Sequence, residues 1–165
     1  MPSIGSILPI LRKSGSSDIS SPPAGWIGSK AGQKGDLVTI DSSGRVDQVV
    51  AVSTAITSSS PRIAALGQNL KDTVPATTIV IVEKLDDDTL IALQASNASD
   101  AAVVTAKTMV GQQYPLRRTA GGTYVVNTAT NTAPVVEVVG LDPRYNEGEA
   151  GGTLLCRVLP SMRLA

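Results

Sequence analysis

An all-β fold is what this sequence predicts: a small β-barrel or sandwich of about eight short strands with one short helix, preceded by an extended N-terminal arm. Three observations predict it. Short Val/Ile/Thr-rich runs recur along the chain, each cut off by Gly, Pro or an Asp-Ser cluster. Long apolar stretches with a 3.6-residue period are missing, apart from one short candidate. Composition also divides the chain at about residue 35, into a Gly/Ser/Pro-rich arm (1–35) and a β-rich body (36–165).

The arm comes first. Pro2, Pro9 and the Pro22-Pro23 pair deny it a regular helix or a central strand. Such a segment cannot bury itself, so it stays extended until it meets a partner surface. Two apolar islands interrupt it, Ile7-Leu8-Pro9-Ile10-Leu11 and Trp26-Ile27, and Arg12-Lys13 follows the first. Trp26 is the chain's one tryptophan, a residue type enriched at interface hot spots. The alternative is that Trp26 packs back on its own body. Ile7, Leu8, Ile10, Leu11, Arg12, Lys13, Trp26 and Ile27 are the candidate contact residues.

The body follows element by element. GDLVTIDSSGRVDQVVAV (35–52) reads as strand, turn, strand, with turn chemistry in Asp41-Ser42-Ser43-Gly44. In PRIAALGQNL (61–70), Gly67 favours a strand with a bulge over a helix interior. TTIVIVEKL (77–85), Asp86-Asp87-Asp88 and TLIAL (89–93) predict a hairpin with a charged tip. DAAVVTAKTMVG (100–111) is the helical candidate, with Asp100 as cap, Ala102, Val103, Ala106, Met109 and Val110 on one face, and Gly111 as terminator. Strands are then expected in QQYPL (112–116), TYVVN (123–127), PVVEVVGL (134–141) and TLLCRVL (153–159).

Composition limits the chemistry. The chain of 165 residues has no His, no Phe, one Cys, one Trp and three Tyr. Without histidine, the usual general base near neutral pH and the commonest transition-metal ligand are both missing. A nucleophilic serine needs a partner to take its proton, and no Ser-Lys pairing stands out around Ser58-Ser59-Ser60. Three consecutive aspartates (86–88) do not reproduce the alternating ligands of a calcium loop. Asp142, Asn146, Glu147 and Glu149 match no known metal loop, and the glycines beside them form no phosphate cradle. Asn97-Ala98-Ser99 is a bare glycosylation tripeptide. Arg117-Arg118 reads as a solvated face or a partner contact. No enzymatic activity, cofactor or metal is expected.

Charge and cysteine usage complete the reading. The net charge is zero, but residues 1–35 carry +3 and the remainder −3. A basic arm on an acidic body suits docking onto an acidic protein surface. No dense basic stripe with aromatic platforms indicates nucleic acid. Cys156, in an apolar run, is expected to be a small buried hydrophobe rather than a disulfide partner. No stretch approaches the length of a transmembrane helix and no secretory signal is evident, so synthesis in a cytoplasm is expected and a membrane partner is not. A core so poor in aromatics also favours oligomerisation.

The order of these pieces resembles the small head decoration (cement) proteins of tailed bacteriophages. The arm, KGDLVTIDSSGRV (34–46), RIAALG (62–67), VGQQYPLRRTAGGTYVVN (110–127), VVEVVGLDPR (135–144) and TLLCRVLP (153–160) carry the resemblance, which spans roughly residues 34–160. It implies a viral structural protein on the outer surface of the virion capsid. Its partners would be the major capsid protein and further copies of itself, a homotrimer more than a homodimer. The alternative is another virion component, a head or tail fibre adhesin that binds a host-surface glycan. The scarcity of exposed aromatics argues against a sugar platform.

Overall fold

The computed structural model describes residues 11–12, 19–20, 32–40, 46–48, 62–70, 80–99, 101–119, 123–144 and 147–163. The protein is all-β, as the run-and-turn pattern requires, with a nearly closed barrel-like sheet. Its strands are β1 (Leu11–Arg12), β2 (Ile19–Ser20), β3 (Leu37–Ile40), β4 (Val46–Gln48), β5 (Arg62–Leu66), β6 (Val82–Glu83) and β7 (Thr89–Ser96). They continue with β8 (Gln113–Tyr114), β9 (Leu116–Arg118), β10 (Tyr124–Asn127), β11 (Val136–Leu141) and β12 (Thr153–Val158).

One sheet runs β8-β11-β12-β7-β10-β9, with β1 added on β7. Its first and last members, β8 and β9, are separated only by Pro115. The path therefore returns to the segment from which it started. Pro115 has no N–H to contribute to a ladder and its φ is fixed, which suits the corner. Its carbonyl accepts from Asn127 N at 3.1 Å, while the Tyr114 carbonyl accepts from Val135 N at 2.9 Å. A register shift between Val138 and Gly140 bends β11 as a β-bulge does. All pairings in this sheet are antiparallel except β7 with β10.

The other sheet is antiparallel, in the order β2-β6-β5-β3-β4. Side chains alternate faces along a strand, and here both faces are covered. Leu37, Ile63 and Ala65 join Ile91, Leu93, Leu116, Val126 and Leu154 in the barrel core. Val38, Ile40, Ala64 and Leu66 point the other way, into a second cluster with Val46, Leu70, Val80 and Val82. The Tyr124 hydroxyl donates to the Leu37 carbonyl at 3.0 Å, which ties the barrel to this sheet. At Gly67, whose N–H donates to Ile81 O at 2.8 Å, an added Cβ would sit 2.8 Å from Ile81 Cγ2 and 3.1 Å from Ile81 O. Gly67→Ala is expected to lower stability by about 1–3 kcal/mol, measured by urea denaturation.

Two expectations are corrected. The 77–93 hairpin does not form. β6 pairs with β5 and β2, whereas β7 pairs with β12, β10 and β1, so the two runs lie in different sheets. Alternation and a turn specify strands and a reversal, but not the partner. The turn itself is present, closed by Thr89 N to Asp86 O at 3.3 Å and by the Thr89 hydroxyl to Asp86 Oδ1 at 2.5 Å.

Nor do residues 100–111 form an α-helix. Only a single 3₁₀ turn, Lys107–Met109, is helical, and its cap is Ala106 with no side-chain bond. Asp100 lies outside the described residues. Upstream, Ala102 bridges to Ser96 and Val104 to Ala150, so the segment is drawn out along the sheet. Val103, Val104, Thr105 and Thr108 are β-branched, which lowers helix propensity. Val103 and Met109 pack on the barrel core, but Ala102 and Val110 are exposed, so the expected common face does not exist. The turn is capped at its C-terminal end by Val110, and Gly111 follows with φ 81°.

Candidate functional site

The site begins with how the arm meets the body. Leu11 and Arg12 pair antiparallel with Leu90 and Thr89 of the barrel sheet. Ile19 and Ser20 pair antiparallel with Glu83 and Val82 of the smaller sheet. Both contacts fall on one body segment, Val82 to Leu90, which passes from one sheet to the other. Seven residue steps separate Arg12 from Ile19, and six separate Glu83 from Thr89. The two ladders thus share a direction and keep a common register to within one residue. The remaining candidate contact residues, Ile7, Leu8, Ile10, Lys13, Trp26 and Ile27, lie outside the described residues.

Between the two ladders the body segment exposes Asp86, Asp87 and Asp88 and buries Leu85 in the barrel core. This acidic turn is held from behind. Asp87 Oδ1 accepts from Arg163 Nη2 at 2.8 Å, and Arg163 Nε donates to the Val158 carbonyl at 2.7 Å. Arg163 also bridges to Ile63, and Arg62 Nη1 donates to the Ser161 carbonyl. The C-terminal stretch therefore clips β12, β5 and the acidic turn together. Arg163 is buried and Asp87 exposed, so most of the worth of this contact lies in the hydrogen bond to Val158. Arg163→Ala is expected to cost about 1–3 kcal/mol, read from chemical denaturation.

The other polar candidates serve the fold. The Asp142 carboxylate is buried and takes the Arg144 guanidinium in a forked contact, Nε to Oδ1 at 2.9 Å and Nη2 to Oδ2 at 2.6 Å. Arg144 N also donates to Oδ1 at 3.0 Å. The Arg144 hydrogen bonds hold this carboxyl below its ordinary pKa against the opposing effect of burial. A lowered folded-state pKa means that the pair stabilises the fold above the unfolded value of about 4 and loses that effect as pH falls through the folded value. The difference in Tm between the parent and Asp142→Asn should therefore shrink on acidification from pH 7 towards pH 3.

Glu147 pairs with Lys107, accepting from its backbone N–H at 2.9 Å and its ammonium at 3.2 Å, which together lower the Glu147 pKa. Asp36 is raised by burial, offset by the Gln33 N–H and by the positive charge of Arg118. Arg117 and Arg118 are half-buried rather than a freely solvated face. Arg117 Nη1 donates to the Ala98 carbonyl, and Arg118 lies 5.6 Å from the centroid of the Tyr124 ring. Asn97 Oδ1 accepts from Ser99 N and Ala101 N, closing a local turn. Cys156 is fully buried, and burial pushes its thiol pKa far up, leaving an inert hydrophobe as expected.

Among the described residues no group of three or more His, Cys, Asp or Glu is placed to hold a metal ion. No helix among them is long and apolar enough to cross a membrane. Among the described residues the exposed large hydrophobics are Val104, Val110 and Val139. Sequence reasoning found the arm and the acidic turn but not the segment that joins them, because two-residue strands leave no periodicity to read. In comparisons with known proteins, no family model matches the chain and no curated protein matches it.

Proposed function

We propose that the protein is a viral structural protein, a decoration protein that binds the outer surface of a tailed-phage head and reinforces the lattice. The major capsid protein is its partner, and it acts as a homo-oligomer, a trimer before a dimer, with no catalytic role and no cofactor. The observation that carries this reading is the mode of arm attachment. Four arm residues pair through the main chain with one strand of each sheet, β7 and β6, and strand addition of this kind takes its affinity from backbone groups rather than from a shaped pocket. The split between a basic arm and an acidic body, and the order of strands and glycines, support the same reading.

Energetics favour many weak contacts. Ordering one residue costs about 1–2 kcal/mol of backbone entropy, while burying one Leu or Ile returns about 1.5–3 kcal/mol. One arm therefore binds modestly, and several arms on one oligomer bind with avidity. Contact of Leu11 and Arg12 with a lattice through the main chain competes with β7, whereas Ile7, Leu8, Ile10, Lys13, Trp26 and Ile27 supply the rest of the binding set.

Co-sedimentation with expanded heads tests the reading. The full chain is expected to pellet with heads, and a chain lacking residues 1–30 is expected to stay in the supernatant; equal pelleting of both overturns the arm's role. Trp26→Ala is expected to weaken pelleting without changing the Tm of the free protein. A fall in Tm with binding retained would assign Trp26 to the core instead.

A further inference from the structure

We propose that the Val82–Leu90 segment is a strand-acceptor rail, and that in the oligomer each copy's rail is occupied by Leu11–Arg12 and Ile19–Ser20 of a second copy. This rests on the homo-oligomer of the proposed function but not on capsid binding, since it concerns the purified chain alone. The structure draws the contacts within one chain, where two separate ladders fall on a single body segment with registers that agree to within one residue. A surface that sets direction and register at two places along one segment specifies its strand, whichever copy supplies it. An exchanged arm makes the same contacts, so the exchange costs only the difference in connector entropy.

The connector decides whether exchange is feasible. The body resumes at Gly32, whose N–H donates to Leu70 O at 3.0 Å while its carbonyl accepts from Leu70 N at 2.8 Å. The stretch from Ser20 to Gly32 spans roughly 40 Å when extended. A compact body of this length has a radius of gyration of roughly 15 Å and is therefore about 40 Å across. The arm can thus cross to a neighbour. Each ladder contributes only two residue pairs, so release is a local opening of low cost and leaves the body's core intact. Charge fits as well: Arg12, next to Lys13 in the sequence, is registered opposite Thr89, the residue after the exposed Asp86-Asp87-Asp88 turn.

Cross-strand disulfides distinguish the two topologies. Leu11 stands directly opposite Leu90, so the double variant Leu11→Cys/Leu90→Cys places two thiols within bonding reach on the rail. The buried Cys156 is no competitor. After mild oxidation and non-reducing electrophoresis, the expected result is loss of most of the monomer band to covalent oligomers. The two single variants, mixed and oxidised, should give a covalent heterodimer.

A monomer closed by an internal disulfide, with no cross-linked oligomer, overturns the exchange. Failure of either bond to form overturns the rail itself. The pair Ile19→Cys/Glu83→Cys samples the second ladder and keeps the test decisive if the first variant misfolds. An internal bond with head binding retained sinks only the exchange, and covalent oligomers that ignore heads sink only the capsid reading.

Discussion

Ile63→Ala should destabilise the protein by about 2–5 kcal/mol, a fall in Tm of about 4–20 °C for a chain of this size. Ile63 is fully buried in β5, on the face of the smaller sheet that enters the barrel core beside Leu37 and Ala65. Its backbone pairs with Thr39 and bridges to Arg163. Truncation leaves a cavity at the point where the two sheets and the C-terminal clip meet. Because those elements are fixed from three sides, the site has little freedom to collapse, which places the cost toward the upper part of the range. Val110→Ala, at an exposed position, is the control and is expected to change stability by less than about 0.5 kcal/mol. Differential scanning calorimetry of both variants is the check. A loss at Ile63 no larger than that at Val110 would mean that the smaller sheet does not close the barrel.

Val38→Asp should prevent folding altogether. In an antiparallel sheet with one solvated face, every second residue of a strand tolerates charge. β3 has no such face, for Leu37, Val38, Thr39 and Ile40 are all buried. A carboxylate at position 38 would enter the apolar cluster formed with Ala64, Leu66 and Val82. An unpaired buried charge costs several kcal/mol even after relaxation, enough to consume much of the roughly 5–15 kcal/mol that holds a domain together. Val139→Asp, on the bulge of β11 and 42 % exposed, should fold normally. Circular dichroism and soluble yield separate the two outcomes. A folded Val38→Asp protein would show that the second face of the smaller sheet is open to water.

The sequence carried the strands better than their partners. Leu37–Ile40, Val46–Gln48, Tyr124–Asn127 and Thr153–Val158 all lie in runs whose β-branched content and flanking turns marked them. The strand at 62–66 was also readable, but the bulge expected at Gly67 is absent, since β5 ends at Leu66 and pairs with β3 and β6 without a register shift. What misled was local: TTIVIVEKL and TLIAL flank a good turn, yet pairing is settled by the distant strands β5 and β12, which no local rule can name. The 100–111 segment shows a tertiary override, where weak helical periodicity gave way to bridges with Ser96 and Ala150. Of the arm, the apolar islands and the basic pair were visible. The rail was not, because its register is a property of Val82–Leu90 in the folded body.

Cryo-microscopy of expanded tailed-phage heads mixed with the purified protein tests the proposed decoration role most directly. The account predicts repeated β-rich knobs on the outer shell, present in fixed ratio to the capsid subunit, each with an extended N-terminal strand running onto a neighbouring molecule. Heads with bare outer surfaces, or density for this chain confined to the tail, would contradict it.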